Sequence, residues 1–422
     1  MGKLILFLSI ILGSWAASAQ DLELTLTQFR DDFDPNIDGQ TFGTVMEADG
    51  AWAVISAPFA DDFDGAVYVF QYDGGWNFHK RLERAPGPSN RGRSGTDVTI
   101  DGEWIAITFS FGGAALYRRD LGGSDNWGYH STVEEPDSTE FRDLDSDNRV
   151  TLDGSTLVVG APVTDQAPFS SDTNAVGAVL VYQLQGDQWL LSQTILTPQG
   201  ESQGGGGFGE RLDLNSGVLV VGAPDYATGG IDGSGRAWVY QQNGNQFQLV
   251  DSLSSDNPEL NANFGSGVAS GTGFVAIGAP TGAGDLTPII TNDGSVYVFE
   301  PDGGLYVLTT ELVASVPTFI GNFGQDVAVE SNLLWTADRD ANFLFRRDMT
   351  GQWTEIDRNL APEFPAPSNV MQFGTSVALT REGTRVHGIV GDRIAENIMD
   401  ERVGAAFFYE FDDGLFADSF ED

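Results

Sequence analysis

Internal repetition is the feature that most constrains how this chain can fold. Phe-Gly recurs at Phe42-Gly43, Phe208-Gly209, Phe264-Gly265, Phe323-Gly324 and Phe373-Gly374, and two degenerate copies, Ser94-Gly95 and Ser146-Asp147, fill the gap. Starts roughly 50–60 residues apart mark a propeller or a solenoid. Each unit reads as four short strands. The first follows Phe-Gly and ends at a tight turn such as Asp49-Gly50, Asp101-Gly102 or Asp153-Gly154. Asp-Gly between apolar runs predicts a hairpin with φ > 0 at both turn positions. The second strand is an apolar run (53–57, 157–161, 219–223, 275–279), and the third alternates small and aromatic residues (65–70, 177–182, 294–299). The fourth opens on an aromatic: Trp76, Trp127, Trp189, Phe247, Tyr306 or Trp353. Period-2 alternation with β-branched and aromatic enrichment predicts strand throughout. No amphipathic helix stands out.

Seven units of four strands predict an all-β, seven-bladed β-propeller. The seventh unit runs out after its third strand, near residues 404–411, whereas residues 22–29 alternate as a strand with no unit of their own. Pairing the two termini supplies the missing fourth strand and hides a sheet edge. An open solenoid needs capping units instead, and none is visible.

Residues 1–19 read as a secretory signal peptide: Lys3, an apolar run from Leu4 to Leu12, then Ala17-Ser18-Ala19. The apolar run is too short for a comfortable membrane span. The expected organisation is signal peptide 1–19, propeller 20–411 and an acidic, aromatic tail 412–422, in a secreted or surface-associated monomer. Cysteine is absent, which excludes disulfides, thiol catalysis and thiolate metal sites. The formal net charge of -40 disfavours nucleic acid and anionic lipid as partners, because both are held by cations.

Val159-Gly160-Ala161-Pro162, Val221-Gly222-Ala223-Pro224 and Ile277-Gly278-Ala279-Pro280 follow their unit starts at a fixed offset. Together with Phe-Gly they resemble the FG-GAP repeat of integrin α-subunit propellers and of many bacterial secreted proteins. The resemblance covers about residues 22–411. It departs in unit one, which has Ser56-Ala57-Pro58, and in units two, six and seven, which lose Gly-Ala-Pro. Calcium-binding members carry an acidic loop in the first hairpin. Here that hairpin is a bare turn with too few oxygens for calcium's six to eight ligands, so the resemblance is to the variant without calcium loops, and no cofactor is expected.

Asp143, Asp145 and Asp147 form a D-x-D-x-D spacing that could turn three carboxylates to one Ca2+, but Asn148 stands where glycine belongs. They are the metal candidates; a solvated acidic loop is the alternative. The connections between strands two and three carry Asp61, Asp62, Asp64, Asp225, Asp232, Asp392 and others, and should gather on one face. Units three to five and seven have long ones (164–176, 225–234, 281–293, 392–403), while units two and six have short ones. Loops on a rigid scaffold are where binding sits. Catalysis finds little support, since His79, His130 and His387 fall in different repeat contexts; no catalytic residue is expected. The tail resembles a Phe-Ala-Asp-Gly-Phe-Glu ending of some secreted bacterial proteins, with Ser419 in place of glycine. The expected function is recognition of an extracellular protein or polysaccharide through the loop face, as in adhesion. The alternative is an extracellular hydrolase on the same scaffold; a mixed Arg, Glu and His cluster at the channel mouth would favour it, and a broad loop face without such a cluster would favour binding.

Overall fold

The computed structural model describes residues 27–29, 41–82, 85–86, 93–110, 113–134, 149–162, 177–198, 207–280, 294–316, 322–360, 373–393 and 404–412. Within them the chain forms seven four-stranded antiparallel sheets arranged in a ring. Blade one is Met46–Asp49, Trp52–Ala57, Ala66–Tyr72 and Trp76–Arg81, in that order from the axis outward. The other innermost strands are Ser94–Asp101, Arg149–Asp153, Arg211–Asn215, Gly267–Gly271, Val327–Glu330 and Phe373–Glu382, and each touches its neighbours around the ring. One helical turn, Ala60–Phe63, interrupts the β structure.

Blade seven closes as the orphan strand requires. Thr27–Phe29 is its outermost strand, pairing antiparallel with Ala405–Asp412 (Thr27 opposite Phe408, Phe29 opposite Ala406). The second strands are wholly buried in blades one, two, three, five and six. Their apolar runs follow from position: both faces of a blade lie against other blades, so strand two meets water only at its turn end, at Val218 in blade four and Arg385 in blade seven. In blades one to six the pairing of strands three and four shifts register once, next to an aromatic or Phe-flanked pair such as Val69/Phe70 or Val239/Tyr240. A bulge raises local twist, which suits sheets that fan outward from an axis.

The Asp-Gly turns differ from expectation. Gly50, Gly102 and Gly154 have φ of 54°, 57° and 56°, but the aspartates before them do not have positive φ. Asp49 is the last strand residue, paired with Trp52, and Gly50-Ala51 forms the loop. Glycine at the first central position with a negative φ after it is the sign pattern of type II′, not type I′. The aspartate is thereby released from the turn and does other work, described below.

The recurring motifs join blades. A Cβ on Gly278 would lie 1.9 Å from the Gly324 carbonyl oxygen, and one on Gly160 would lie 2.1 Å from that of Gly209. The glycine of Gly-Ala-Pro thus lets the glycine of the next blade's Phe-Gly approach backbone to backbone. Ser56, Thr108 and Thr336 stand at this place in blades one, two and six. Their hydroxyls bond their own inner strand instead: Ser56 accepts from Val45 N (3.1 Å), Thr108 from Asp97 N (2.8 Å), and Thr336 donates to Asp326 O (2.8 Å).

The aromatics that open strand four are buried, Tyr306 less completely than the rest. They pack across blades. Trp127 meets Trp52 edge to face at 5.4 Å, Trp189 meets Trp104 at 5.4 Å, and Trp353 meets Phe274 at 5.1 Å. Such T-shaped pairs add about 0.5–1.5 kcal/mol beyond their buried area. The indole N–H groups of these three tryptophans have no hydrogen-bond partner among the described residues.

Candidate functional site

Side chains on a strand alternate, so on each inner strand every second residue reaches toward the following blade. The turn-side aspartates are the lowest ring of such contacts. Asp49 accepts the Gly102 amide (2.7 Å), Asp101 accepts Gly154 (2.6 Å) and Asp153 accepts Gly217 (3.4 Å). At the closing interface Thr380 accepts Gly50 N at 2.7 Å. Two and four residues earlier lie two higher rings. Asp97 accepts Val150 N (2.8 Å), Asp213 accepts Ser270 N (2.6 Å) and the Ser270 hydroxyl, and Asp326 accepts Val377 N (2.9 Å). Thr151 accepts Leu214 N at 3.1 Å and Ser376 accepts Met46 N at 3.3 Å. A carboxylate accepting an amide is a charge-assisted bond of about 1.5–3 kcal/mol.

These inner strands enclose a cavity of about 370 Å3 on the axis, lined among others by Glu47, Asp97, Arg149, Arg211, Asp213 and Asp326. Arg339, in the connection after strand two of blade six, and Arg393, at the start of that of blade seven, also line it. The cavity therefore extends toward the face where those connections lie. Arg149 and Arg211 occupy the same place, four residues before Asp153 and Asn215, on adjacent blades. Arg149 Nε donates to Glu210 O (3.0 Å), and Arg211 Nε donates to Ser266 O (2.7 Å). Arg211 Nη1 also donates to Glu210 O. Both guanidinium planes are thus fixed by the next blade's backbone. Neither Nη nitrogen of Arg149, nor Nη2 of Arg211, has a protein hydrogen-bond partner among the described residues.

Burial dominates the electrostatics. It pushes the Glu47 carboxyl up to about 8, helped by Asp213, then Asp326 and Asp97. Burial raises Asp97 to about 6 against the pull of Arg149, and Asp213 to about 6 against its bonds from Ser270. Asp326 is raised for the same reason. Arg211 is pushed down by burial and then by Arg149. Glu47 differs from the other three carboxyls: it accepts from its neighbour Ala48 N (3.3 Å), not from the next blade. Its extra methylene replaces the short Asp or Thr that makes the interblade bond elsewhere. The result is a carboxyl pushed toward its protonated form, lining the same cavity as two fixed cations.

Of the residues singled out from sequence, Asp143, Asp145 and Asp147 lie outside the described residues, as do the connections 164–176 and 281–293, most of 392–403 and the tail beyond 412. Among the described residues no group of three or more His, Asp and Glu is placed to hold a metal ion. Asp61, Asp64, Asp225 and Asp232 are exposed, as loop acids should be. Asp392 is not: it ends strand two of blade seven and is fully buried. The histidines stay away from the channel. His79 and His130 are on outer strands, and His387 is buried between Tyr72 (4.3 Å between rings) and Trp76 (5.4 Å), with burial pushing it down to about 4. The channel residues were missed because each looks like an ordinary polar position of strand one. The available signal was two arginines at one offset in consecutive units of a chain with 21 Lys and Arg against 61 Asp and Glu.

No family model matches the chain, and no curated protein matches it. The Phe-Gly and Gly-Ala-Pro likeness therefore remains a resemblance. Among solved structures, a Bacteroides fragilis protein provisionally named a 6-phosphogluconolactonase is 14% identical (TM-score 0.49), with 75% of this chain and 84% of that one covered. A Lactobacillus plantarum protein is also 14% identical, at TM-score 0.48 and the same coverage. The computationally designed Ika8 protein is 14% identical at TM-score 0.44, covering 87% and 86%. At these values the likenesses carry no argument about activity.

Proposed function

We propose that this chain is a binding propeller whose ligand is a small molecule held in the central channel, reached from the face that carries Arg339 and Arg393. The observation that supports this most is the Arg149–Arg211 pair. Two guanidinium groups are locked to the next blade by backbone carbonyls, and Arg211 Nη1 also lies 3.8 Å from Glu210 Oε1; both Nη nitrogens of Arg149 and Nη2 of Arg211 remain to face a ligand in the cavity they line. A volume of about 370 Å3 suits a small ligand. The secreted location read from residues 1–19 is part of the proposal, as is kinship with FG-GAP proteins lacking calcium loops.

This reading moves the site from the loop rim to the axis. The one long connection that is fully described, 225–234, is closed by its own bonds: the Ser234 hydroxyl donates to Ile231 O (2.8 Å) and accepts Thr228 N (2.9 Å). It presents a stiff rim rather than an open grasping surface. A hydrolase in the channel needs a nucleophile with a base beside it. The channel offers an acid in Glu47, but no histidine lines it.

The test is retention. Purified protein is incubated with the low-molecular-mass fraction of spent culture medium, desalted, and its bound solutes are identified by mass spectrometry. A solute retained by the wild type and lost by the Arg149→Gln, Arg211→Gln double variant supports the reading. Equal retention by both, or capture of macromolecules alone, overturns it.

A further inference from the structure

We infer that the channel ligand is a short zwitterion of amino-acid type, its carboxylate on Arg149 and Arg211 and its ammonium on Glu47; this rests on the channel reading above. The argument is one of charge placement. Asp97, Asp213 and Asp326 are each engaged by an amide of the next blade. Apart from Arg339 in the connection at the mouth, the charged lining groups left with free capacity on the inner strands are the two guanidinium ends and the Glu47 carboxyl. The arginines sit side by side on blades three and four. Glu47 projects from blade one, at least two blades round the ring, and is two residues nearer the turn end of its strand. The vacancies are thus a paired cationic seat and, across and below it, a single carboxyl.

A ligand that is only anionic would meet the arginines but face four carboxyls in a chain of formal charge -40. A ligand that is only cationic would be repelled by the two fixed guanidinium groups on the inner strands and by Arg339 and Arg393 toward the mouth. A dipolar ligand relieves both. Its carboxylate separates two like charges that now repel across the cavity, and charge-assisted bidentate bonds to arginine are among the strongest available. Its ammonium gives Glu47 the counter-ion that its position lacks, so Glu47 gives up its proton on binding. The proton passes to the buffer and the bound ligand keeps both charges, which balances the exchange.

The experiment is titration calorimetry on the whole chain with glycine, β-alanine, 4-aminobutanoate and 6-aminohexanoate, against butanoate and butylammonium as single-charge controls. Each titration is run at neutral pH in two buffers of different ionisation enthalpy. The expected result is binding by at least one amino acid and by neither control, with up to one proton released. Glu47→Gln should abolish the proton release and weaken the amino acid at least tenfold, while its circular dichroism stays unchanged. Binding of butanoate as tight as the best amino acid, or unchanged proton release in Glu47→Gln, overturns the zwitterion assignment and leaves a plain anion site. No binding by any probe overturns the assignment too, and the retention experiment then decides alone whether the channel holds another small molecule.

Discussion

Two kinds of joint hold this ring together, and they differ in what they ask of the sequence. Where blades three, four and five meet their successors, Gly160, Gly222 and Gly278 allow carbonyls to come closer than any side chain permits. Where blades one and six meet theirs, Ser56 and Thr336 bond within their own blade, and the following inner strand is irregular. Pairing slips between Ser94 and Val98 in blade two, and between Phe373 and Val377 in blade seven. The glycine joint works by exclusion of atoms and tolerates nothing larger. The hydroxyl joint keeps close backbone approach at other glycines, such as Gly65 against Ser94 O, and replaces the Gly-Ala-Pro glycine by a hydroxyl whose bonds brace the blade behind the joint and can be lost one at a time. A Phe-Gly, Gly-Ala-Pro repeat is therefore a steric signature, and its degenerate copies mark a second solution rather than decay.

The largest effect is expected at the closing joint, a glycine joint (a Cβ on Gly391 would lie 2.2 Å from Gly43 O) with a strand added. Deleting residues 20–30 removes Thr27–Phe29 and bares the edge of Ala405–Asp412. An unpaired edge beside buried Phe407 and Phe408 invites aggregation. Soluble yield and melting temperature should fall more than for any single substitution. A deletion variant that melts like the wild type would show that the ring closes without its clasp.

Next is Gly278→Val, which places a Cβ on the Gly324 carbonyl. Steric conflict between two backbones cannot relax by a rotamer change, so a loss of about 3–5 kcal/mol is expected in urea denaturation. A cost under about 1 kcal/mol would mean that neighbouring blades slide apart easily, and the distinction between the joints would fail.

The clasp, the blade number and the strand order were legible in the sequence because each is written in local signals: a period, a turn, an orphan strand. The channel was not. Asp97, Arg149 and Asp213 become neighbours only when seven inner strands stand around one axis, and residues about fifty apart carry no mutual spacing rule. Asp49 shows the same limit. Asp-Gly announced a hairpin, yet the aspartate's bond goes to Gly102 on another blade. Steric periodicity survives reading one residue at a time, whereas a site shared among repeats does not.

The acid–base behaviour divides along another line, between channel and closing joint. Glu47 titrates near 8 in the fold against about 4.5 free. The folded state therefore holds more protons than the unfolded one between these values. Its contribution is present at low pH and is lost as pH rises through 8. Asp97 and Asp213 act in the same sense up to about 6. His387, lowered to about 4, has the opposite sign: its contribution is present above its free value of 6.5 and is lost as pH falls toward 4. Between pH 6.5 and 8 Glu47 should make stability decline as pH rises. Glu47→Gln should flatten that decline in melts at stepped pH. An unaltered slope would mean that Glu47 is ionised in the fold.

The smallest effect should come from a hydroxyl joint. Thr336 is fully buried, accepts the Gly324 amide at 3.2 Å and donates to Asp326 O at 2.8 Å. Thr336→Val keeps the shape but leaves an amide and a carbonyl without these partners, which costs about 1–3 kcal/mol. Thr336→Ser keeps the hydroxyl and removes one methyl, so it should cost no more than about 1 kcal/mol. If hydrogen bonding makes this joint, serine must be better tolerated than valine. If packing makes it, as at the glycine joints, the order reverses, because valine fills the space and serine does not. The same pair at Thr108, which accepts the Asp97 amide at 2.8 Å, should give the same order. There the effect should reach the channel as well, since Asp97 also holds the Val150 amide. A Thr108→Val variant that is only mildly destabilised yet binds its channel ligand more weakly would tie the joint to the site. Unchanged binding would show that the inner wall keeps its shape when the joint behind it loosens.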